Sequence, residues 1–335
     1  MQQESVYNKF YKKEGDKITC LLCQHYCKLK NGQTGVCGAN KNENGKLKNL
    51  VYGRLVAMHI DPVEKKPLYH FLPGSKSLSI GTLGCNMQCP FCQNWHISQV
   101  RESVNNTDYI SPSNLVEMAI KHKCESIAYT YNEPTIFYPY ACDTAKIAKT
   151  HGIKNIFVTN GIESKEVIED MPGIIDACNV DFKSFNPDFY KKILKSPFGI
   201  LDTMKLIKKK GIWLETTTLI IPGENDSEEE LNQISLFIAN ELGTETPWHI
   251  SAFYPQYKMH DKMATPIRLL EKAFDIGNKN GLKYIYIGNA GITNTTKCPS
   301  CGIDLIKRKA YHILFNKITK GKCPACNTKI PGIWE

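Results

Sequence analysis

The sequence predicts an α/β protein built on a partial or full (β/α) barrel, with a small cysteine-rich metal-binding module at each end. Three observations predict it. Through the middle of the chain, short β-branched and aromatic runs alternate with helical patterns, the mark of βα units and a parallel sheet. Six or seven such units recur, and neither GxGxxG nor a P-loop follows any of them, which favours a barrel over a nucleotide-binding sheet. Most of the cysteines fall in three groups, two of them in polar terminal segments outside the repeating region.

These groups divide the chain into residues 1–50, 51–295 and 296–335. The first segment is polar, with Gly32, Gly35, Gly38 and Gly45 around its cysteines, and is too poor in apolar residues to fold without a staple. In the central segment the expected strands are 77–82, 126–131, 155–160, 177–182, 213–220, 248–254 and 284–288. Helical patterns lie between them, for example at 112–123, 139–149, 188–195 and 228–238. Asp226 or Ser227 would cap the last of these, ahead of carboxylates in its first turn.

The composition limits the function. Of 335 residues, 42% are apolar and 22% charged, which suits a water-soluble protein with a sizeable core. No run approaches the ~20 apolar residues of a membrane span, and the first residues lack the apolar centre of a signal peptide, so a cytoplasmic location is expected. The net charge of +9 comes mainly from scattered lysines, with short runs at 208–210 and 307–309, and reads as a solvated surface, not a nucleic-acid groove. Fourteen cysteines in such a chain point to metal or redox chemistry before disulfides.

In barrels of this kind chemistry sits where strands end. There the sequence places Asn132, Glu133 and Pro134, then Thr159, Asn160 and Gly161, then Asp181 and Lys183. Alternation along the fourth strand puts Asn179, Asp181 and Lys183 on one face and Cys178, Val180 and Phe182 on the other. Buried charge is costly unless bound or paired, so these residues either hold a ligand or form a salt bridge of Lys183 with Glu133 or Asp181. Tyr129 and Tyr131 are expected on the face of Glu133, or as barrel filling.

Directly after the first expected strand comes GTLGCNMQCPFCQNWH, with Cys85, Cys89 and Cys92 spaced CxxxCxxC. Three thiolates on a tight loop can hold three irons of a [4Fe–4S] cube, whereas a structural zinc closes with four ligands. The solitary cysteines offer no fourth: Cys178 should face away, and Cys124 lies at the wrong end of its strand. The fourth iron is thereby left for a substrate or cofactor.

This loop, with Phe91 before its last cysteine, resembles that of the radical S-adenosylmethionine (SAM) superfamily. The resemblance implies that the open iron binds SAM and that an electron from the cluster cleaves it to methionine and a 5′-deoxyadenosyl radical, which abstracts hydrogen from a substrate. It implies SAM contacts at Phe91, Glu133, Thr159, Asn160, Asp181 and Lys183. Among pyruvate formate-lyase activating enzymes the second strand ends Gly-Gly-Glu, where this chain has Asn132-Glu133; the third ends Asp-Thr-Asn-Gly against Val158-Thr159-Asn160-Gly161; the fourth ends Asp-x-Lys, matched by Asp181-Phe182-Lys183. Their sixth strand ends near Pro-Phe-His, but here the residues are Phe253-Tyr254-Pro255-Gln256-Tyr257, so Tyr254 and Tyr257 become candidate substrate contacts. DPVEKKPLYHFLPGS at 61–75, TYNEPT at 130–135, YIGN at 286–289 and the terminal PGIW extend the likeness, over nearly the whole chain, to the radical SAM member of the AmmeMemoRadiSam system. That likeness implies Memo-like and AMMECR1-like partners and a low-potential electron donor of the flavodoxin or ferredoxin type. The expected activity is hydrogen abstraction by an oxidoreductase of unknown substrate. The alternatives are a glycyl-radical-enzyme activase and, from another class, a non-catalytic zinc-binding interaction protein.

The flanking groups read as staples. Cys298, Cys301, Cys323 and Cys326 form two CxxC knuckles, the pattern of a zinc ribbon. Cys20, Cys23, Cys27 and Cys37 suit zinc and an iron–sulfur cluster alike, with structural zinc preferred and His25 as an alternative ligand.

Overall fold

The computed structural model describes residues 7–100 and 108–335; the extreme N-terminus, read above as lacking a leader, begins outside them. Seven parallel strands follow one another in chain order: Lys76–Gly81, Ser126–Tyr129, Lys154–Thr159, Ala177–Asp181, Trp213–Ile220, Trp248–Ala252 and Ile285–Gly288. An eighth, Ala57–Pro62, adds antiparallel to the first. Strand order runs from Ile285–Gly288 at one edge to Ala57–Pro62 at the other without closure, so the barrel is partial. The edge strand escaped the sequence reading because it shows no regular alternation: His59 and Ile60 are both exposed.

Helices cover the outer face. Pro112–Lys121 turns Leu115, Val116 and Ala119 inward at helical spacing, and Glu228–Phe237 does so with Leu231 and Ile234. The Ser227 hydroxyl accepts from the Glu230 N–H at 3.1 Å, a cap of about 1 kcal/mol. The segment after Pro62 fills the inner face. Val63, Leu68 and Phe71 pack on Ala128, Ile156 and Ala177 of three successive strands. Buried Glu215 anchors this segment by accepting from the Tyr69 and His70 N–H groups at 2.9 and 2.8 Å.

Each terminus knits to the barrel. The N-terminal residues form two three-stranded sheets whose Ile18, Leu29 and Leu47 share the main core. The side chains of Asn40 and Asn49 both donate to the Ile136 carbonyl, at 2.8 and 2.7 Å. The C-terminal ribbon Thr293–Lys297, Asp304–Lys309 and His312–Asn316 sends Arg308 inward, to the Tyr69 carbonyl at 2.6 Å and over the Tyr69 ring at 4.4 Å. The 307–309 run is therefore not uniformly solvated: strand alternation leaves Lys309 exposed and buries Arg308 completely.

The strand ends sharpen two readings. The second parallel strand stops at Tyr129, and Tyr131 turns off at φ 71°, so the two tyrosines do not share a face. Tyr129 packs outward on Phe137 and Phe157, whereas the Tyr131 hydroxyl donates to Asp61 at 2.7 Å. The sixth strand stops at Ala252, short of the expected 254.

His70 ties barrel to ribbon. Its Nδ1–H donates to the Pro331 carbonyl and its Nε2 bonds to the Tyr286 hydroxyl, both at 2.7 Å, contacts that the neutral ring can make in full. Burial lowers its pKa to about 4. In the unfolded chain a histidine takes up its proton near pH 6.5. The unfolded state then binds more protons, so this stabilisation is whole above pH 6.5 and is lost as pH falls towards 4. Thermal unfolding should show the melting temperature falling more steeply between pH 6.5 and 4.5 in the wild type than in His70→Gln; equal slopes would contradict the assignment.

Candidate active site

The three-cysteine loop is held from below by the loops that follow the next two strands. The Asn132 amide donates to the Gly84 carbonyl at 2.8 Å and to the Thr82 hydroxyl at 3.0 Å. The Asn160 amide donates to the Asn86 side chain at 2.7 Å, beside Cys85. From the loop itself, Asn94 donates back to the Tyr131 carbonyl at 2.8 Å. Further out, the Gln88 N–H reaches the Leu194 carbonyl and the Lys258 N–H reaches Pro90, each at 2.9 Å. Backbone groups of an irregular buried loop need such partners, and here side-chain amides supply several of them.

Beneath the loop lies a buried carboxyl pair. Glu133 accepts from the Thr135 N–H at 3.0 Å, the Thr135 hydroxyl at 2.6 Å and the Asn160 N–H at 2.8 Å. The Thr159 hydroxyl stands between Glu133 and Glu163 and bonds to both. A hydroxyl has one proton to give, so one carboxyl must carry a proton of its own. Burial, with the Glu133 charge beside it, pushes Glu163 up to about 8.

Above the loop is a cavity of about 320 Å³, within the range of small-molecule sites. Cys89 and Cys92 open onto it, with Phe91 between them. Asp181 and Lys183, 2.8 Å apart, form part of its wall. Burial opposes the Lys183 charge, but Asp181, with Cys89 and Tyr190, together outweighs it and holds the ammonium above its usual range. The cavity also takes in Glu64, Tyr69, Tyr131, His249 and Tyr311. The carboxylate of Glu215 receives His249 Nε2 at 2.6 Å and the Trp213 indole N–H at 3.0 Å. Burial works against its charge, yet these donors keep its pKa below the ordinary value.

The structure thus splits the residues expected around SAM. Phe91, Asp181 and Lys183 line the cavity; Glu133, Thr159 and Asn160 lie behind the loop, in the buried network under Cys85. The ion pair expected at Lys183 forms with Asp181. Tyr254 and Tyr257 are absent from the lining. Tyr254 is 48% exposed and bonds to the Asn289 carbonyl, while Tyr257 stacks on Trp95 at 5.2 Å. Cys124, Cys142 and Cys178 are also outside it, so no fourth thiol enters from the solitary cysteines. Glu64, Tyr69 and Tyr311 went unassigned in the sequence reading; the motif at 61–75 signalled the first two, and nothing local signalled Tyr311.

The two flanking cysteine groups differ in geometry. The sulfurs of Cys298, Cys301, Cys323 and Cys326 all lie within 4.8 Å of one another, close enough for one tetrahedral ion. Among the described residues neither Cys20, Cys23, Cys27 and Cys37 nor Cys85, Cys89 and Cys92 draw together in this way.

Three thiols on one loop, opening on a polar cavity at the strand ends of a partial barrel, are the arrangement that a [4Fe–4S] cluster with one iron free for a ligand would need. The family model of the Radical SAM superfamily matches residues 79–233, which include that loop. The chain is 42% identical over 327 residues to the uncharacterized protein MJ0808 of Methanocaldococcus jannaschii, covering 96% of this chain and 97% of that one. It is 28% identical over 173 residues to MJ1227 of the same organism, which carries the name of a glycyl-radical enzyme activating enzyme; the match covers 47% of this chain and 66% of that one. The fold is similar to a radical SAM methyltransferase from Sphaerobacter thermophilus, with a TM-score of 0.51, 13% identity, and coverage of 66% of this chain and 68% of that one. The chain belongs to the radical SAM superfamily. Its cofactors are therefore a [4Fe–4S] cluster and SAM, and it is an enzyme.

Gly84 tests how closely the loop is fitted. Its φ is +90°, and a Cβ there would stand 2.3 Å from the Cys37 carbonyl oxygen. The left-handed backbone alone costs an alanine about 1–2 kcal/mol, and the clash adds to it. Gly84→Ala should lower the melting temperature and the iron bound after anaerobic reconstitution; unchanged values would show that the loop and the N-terminal module are not in register.

Proposed function

We propose that Cys85, Cys89 and Cys92 hold the [4Fe–4S] cluster and that SAM occupies the cavity above them. The observation that carries this is the opening of Cys89 and Cys92 onto the space walled by Phe91, Asp181 and Lys183. When bound, the cluster and SAM supply one-electron cleavage of SAM and a radical that abstracts hydrogen. The protein's own residues bind, orient and exclude water. Lys183, kept charged by its neighbours, would offer its ammonium to the carboxylate of the methionyl group. Phe91, Tyr69 and Tyr131 give apolar walls that keep water from the reacting atoms. Glu133, Thr159 and Asn160 serve SAM indirectly, by fixing the loop beside Cys85. Glu64, also in the lining, is held from behind by the Gly74 N–H at 2.9 Å and by Arg308, whose Nε is 3.7 Å away.

The substrate in this reading is a small molecule or a peptide, for which Tyr311 of the ribbon and Glu64 of the inner segment also line the cavity. Memo-like and AMMECR1-like proteins are the proposed partners, and a flavodoxin- or ferredoxin-type protein the electron donor, in the cytoplasm; no helix among the described residues is long and apolar enough to cross a membrane. The C-terminal quartet holds zinc, as its sulfur spacing suggests. A backbone glycine of a glycyl-radical enzyme is the second reading, favoured by the name that MJ1227 carries.

Purified without air, the protein should be brown and should convert SAM to 5′-deoxyadenosine under strong reductant. Replacing Cys85, Cys89 and Cys92 together with alanine should reduce that conversion to background, measured by chromatography of the nucleoside product. Undiminished conversion in the triple variant would refute the assignment.

A further inference from the structure

The N-terminal cysteines differ from the C-terminal ones in spacing and in what they stand against. Zinc holds four thiolates at about 2.3 Å, which brings their sulfurs to about 3.8 Å from one another. The C-terminal quartet has that spacing already, with Cys298 to Cys326 at 3.5 Å and Cys301 to Cys323 at 3.7 Å. Among the described residues the N-terminal quartet does not reach it. In this it is like Cys85, Cys89 and Cys92, which do not reach that spacing either. A cube of four irons, each taking one thiolate at its own corner, holds its sulfurs farther apart than a single zinc does.

The N-terminal cysteines are nevertheless near one another: Cys23 lies within electrostatic reach of Cys20, Cys27 and Cys37. Cys20, Cys23 and Cys37 are each 7% exposed and Cys27 is half-buried, so the set could enclose a cluster and still reach the surface at one side. Tyr26, Lys28 and Val36, next to these cysteines, are exposed. His25 spends its Nε2 on the Asn86 carbonyl, at 2.8 Å.

That same bond shows what the module stands against. Asn86 follows Cys85 directly. The Cys37 carbonyl oxygen meets Gly84, the residue before Cys85, so closely that no Cβ fits between them. Consecutive Cα atoms are 3.8 Å apart, which places the Cα atoms of Cys37 and Cys85 no more than about 10 Å from each other. Cys23 pairs through its backbone with Glu163, and the Gln24 N–H reaches the Ile162 carbonyl at 3.0 Å, beyond the strand that carries Thr159. The module is docked on the underside of the three-cysteine loop, opposite the cavity.

We propose that Cys20, Cys23, Cys27 and Cys37 hold an iron–sulfur cluster of the [4Fe–4S] type, not zinc, and that it is the port through which electrons enter the cluster of the Cys85 loop. The proposal rests on the reading that this loop carries the SAM-binding cluster. The step is a transfer of one electron and makes or breaks no bond. A ferredoxin- or flavodoxin-type donor is oxidised by one electron, the N-terminal cluster is reduced, and it is reoxidised as the same electron passes to the loop cluster. The exposed side at Tyr26 and Val36 faces the donor, and the docked side faces the loop.

The test is metal and sulfide analysis with electron paramagnetic resonance on three anaerobically reconstituted full-length proteins. These are the wild type, the triple variant C85A/C89A/C92A and the quadruple variant C20A/C23A/C27A/C37A. The wild type should hold about eight irons, and each variant about four. The triple variant, with its N-terminal module untouched, should keep a reducible cluster whose signal does not respond to SAM. The quadruple variant should keep the one that does. In the fully reduced wild type the two signals should broaden each other, which neither variant shows. A triple variant free of iron and carrying two zinc ions would overturn the proposal. Full iron in the triple variant would instead sink the reading of the loop. Unbroadened, additive signals in the wild type would remove the electron-entry role.

Discussion

The site depends on one constraint: an irregular loop carrying three thiols has to be held still without a fourth thiol to close it. A structural metal site achieves this with its own four bonds. Here side-chain amides replace the missing bond. Asn132 holds Gly84, Asn160 holds Asn86, and Asn94 ties the far end to Tyr131. Each of these residues is placed by the end of a parallel strand, or by the loop itself, so the sheet's register sets the positions of the cysteines. The buried Glu133–Thr159–Glu163 group supports Asn160 from beneath, and its shared proton is the consequence of packing two carboxyls around one hydroxyl. Partly satisfied, such a network would cost more than an apolar core; here most of its groups are paired.

A second interior network shapes the other wall. An open sheet leaves an edge and an inner face that must be covered. The segment after Pro62 fills that face, Glu215 anchors it, and Arg308 arrives from the ribbon to bind the Tyr69 carbonyl. The cavity is the space left between this plug and the three-cysteine loop. Its residues therefore come from distant parts of the chain that fold onto one another, and the terminal ribbon contributes to the site as well as to closure.

Much of this was legible beforehand, for physical reasons that can be named. Parallel strands buried on both faces read as apolar runs, and the seven appeared close to their observed bounds. Polar residues at strand ends marked Glu133, Asn160, Asp181 and Lys183, because polar groups in a barrel mouth need a partner. Their directions were not legible. Asp181 ends its strand, Lys183 follows two residues on, and both line the cavity as expected, whereas Glu133 follows a turn at Tyr131 and swings behind the loop. Arg308 lay in a basic run that looked solvated, and its partner Tyr69 is 239 residues away, a pairing no local pattern encodes. Tyr254 was placed on a strand that ends at Ala252, which moves its side chain out to solvent.

The central claim is that the loop's cluster leaves one iron for SAM. The most direct measurement is electron–nuclear double resonance of the reduced wild-type protein mixed with SAM labelled in its amino nitrogen and carboxylate oxygens. The account predicts couplings from both labels, of a size that requires direct attachment to iron. Labels that leave the cluster spectrum unaltered, in protein shown to bind SAM, would contradict it.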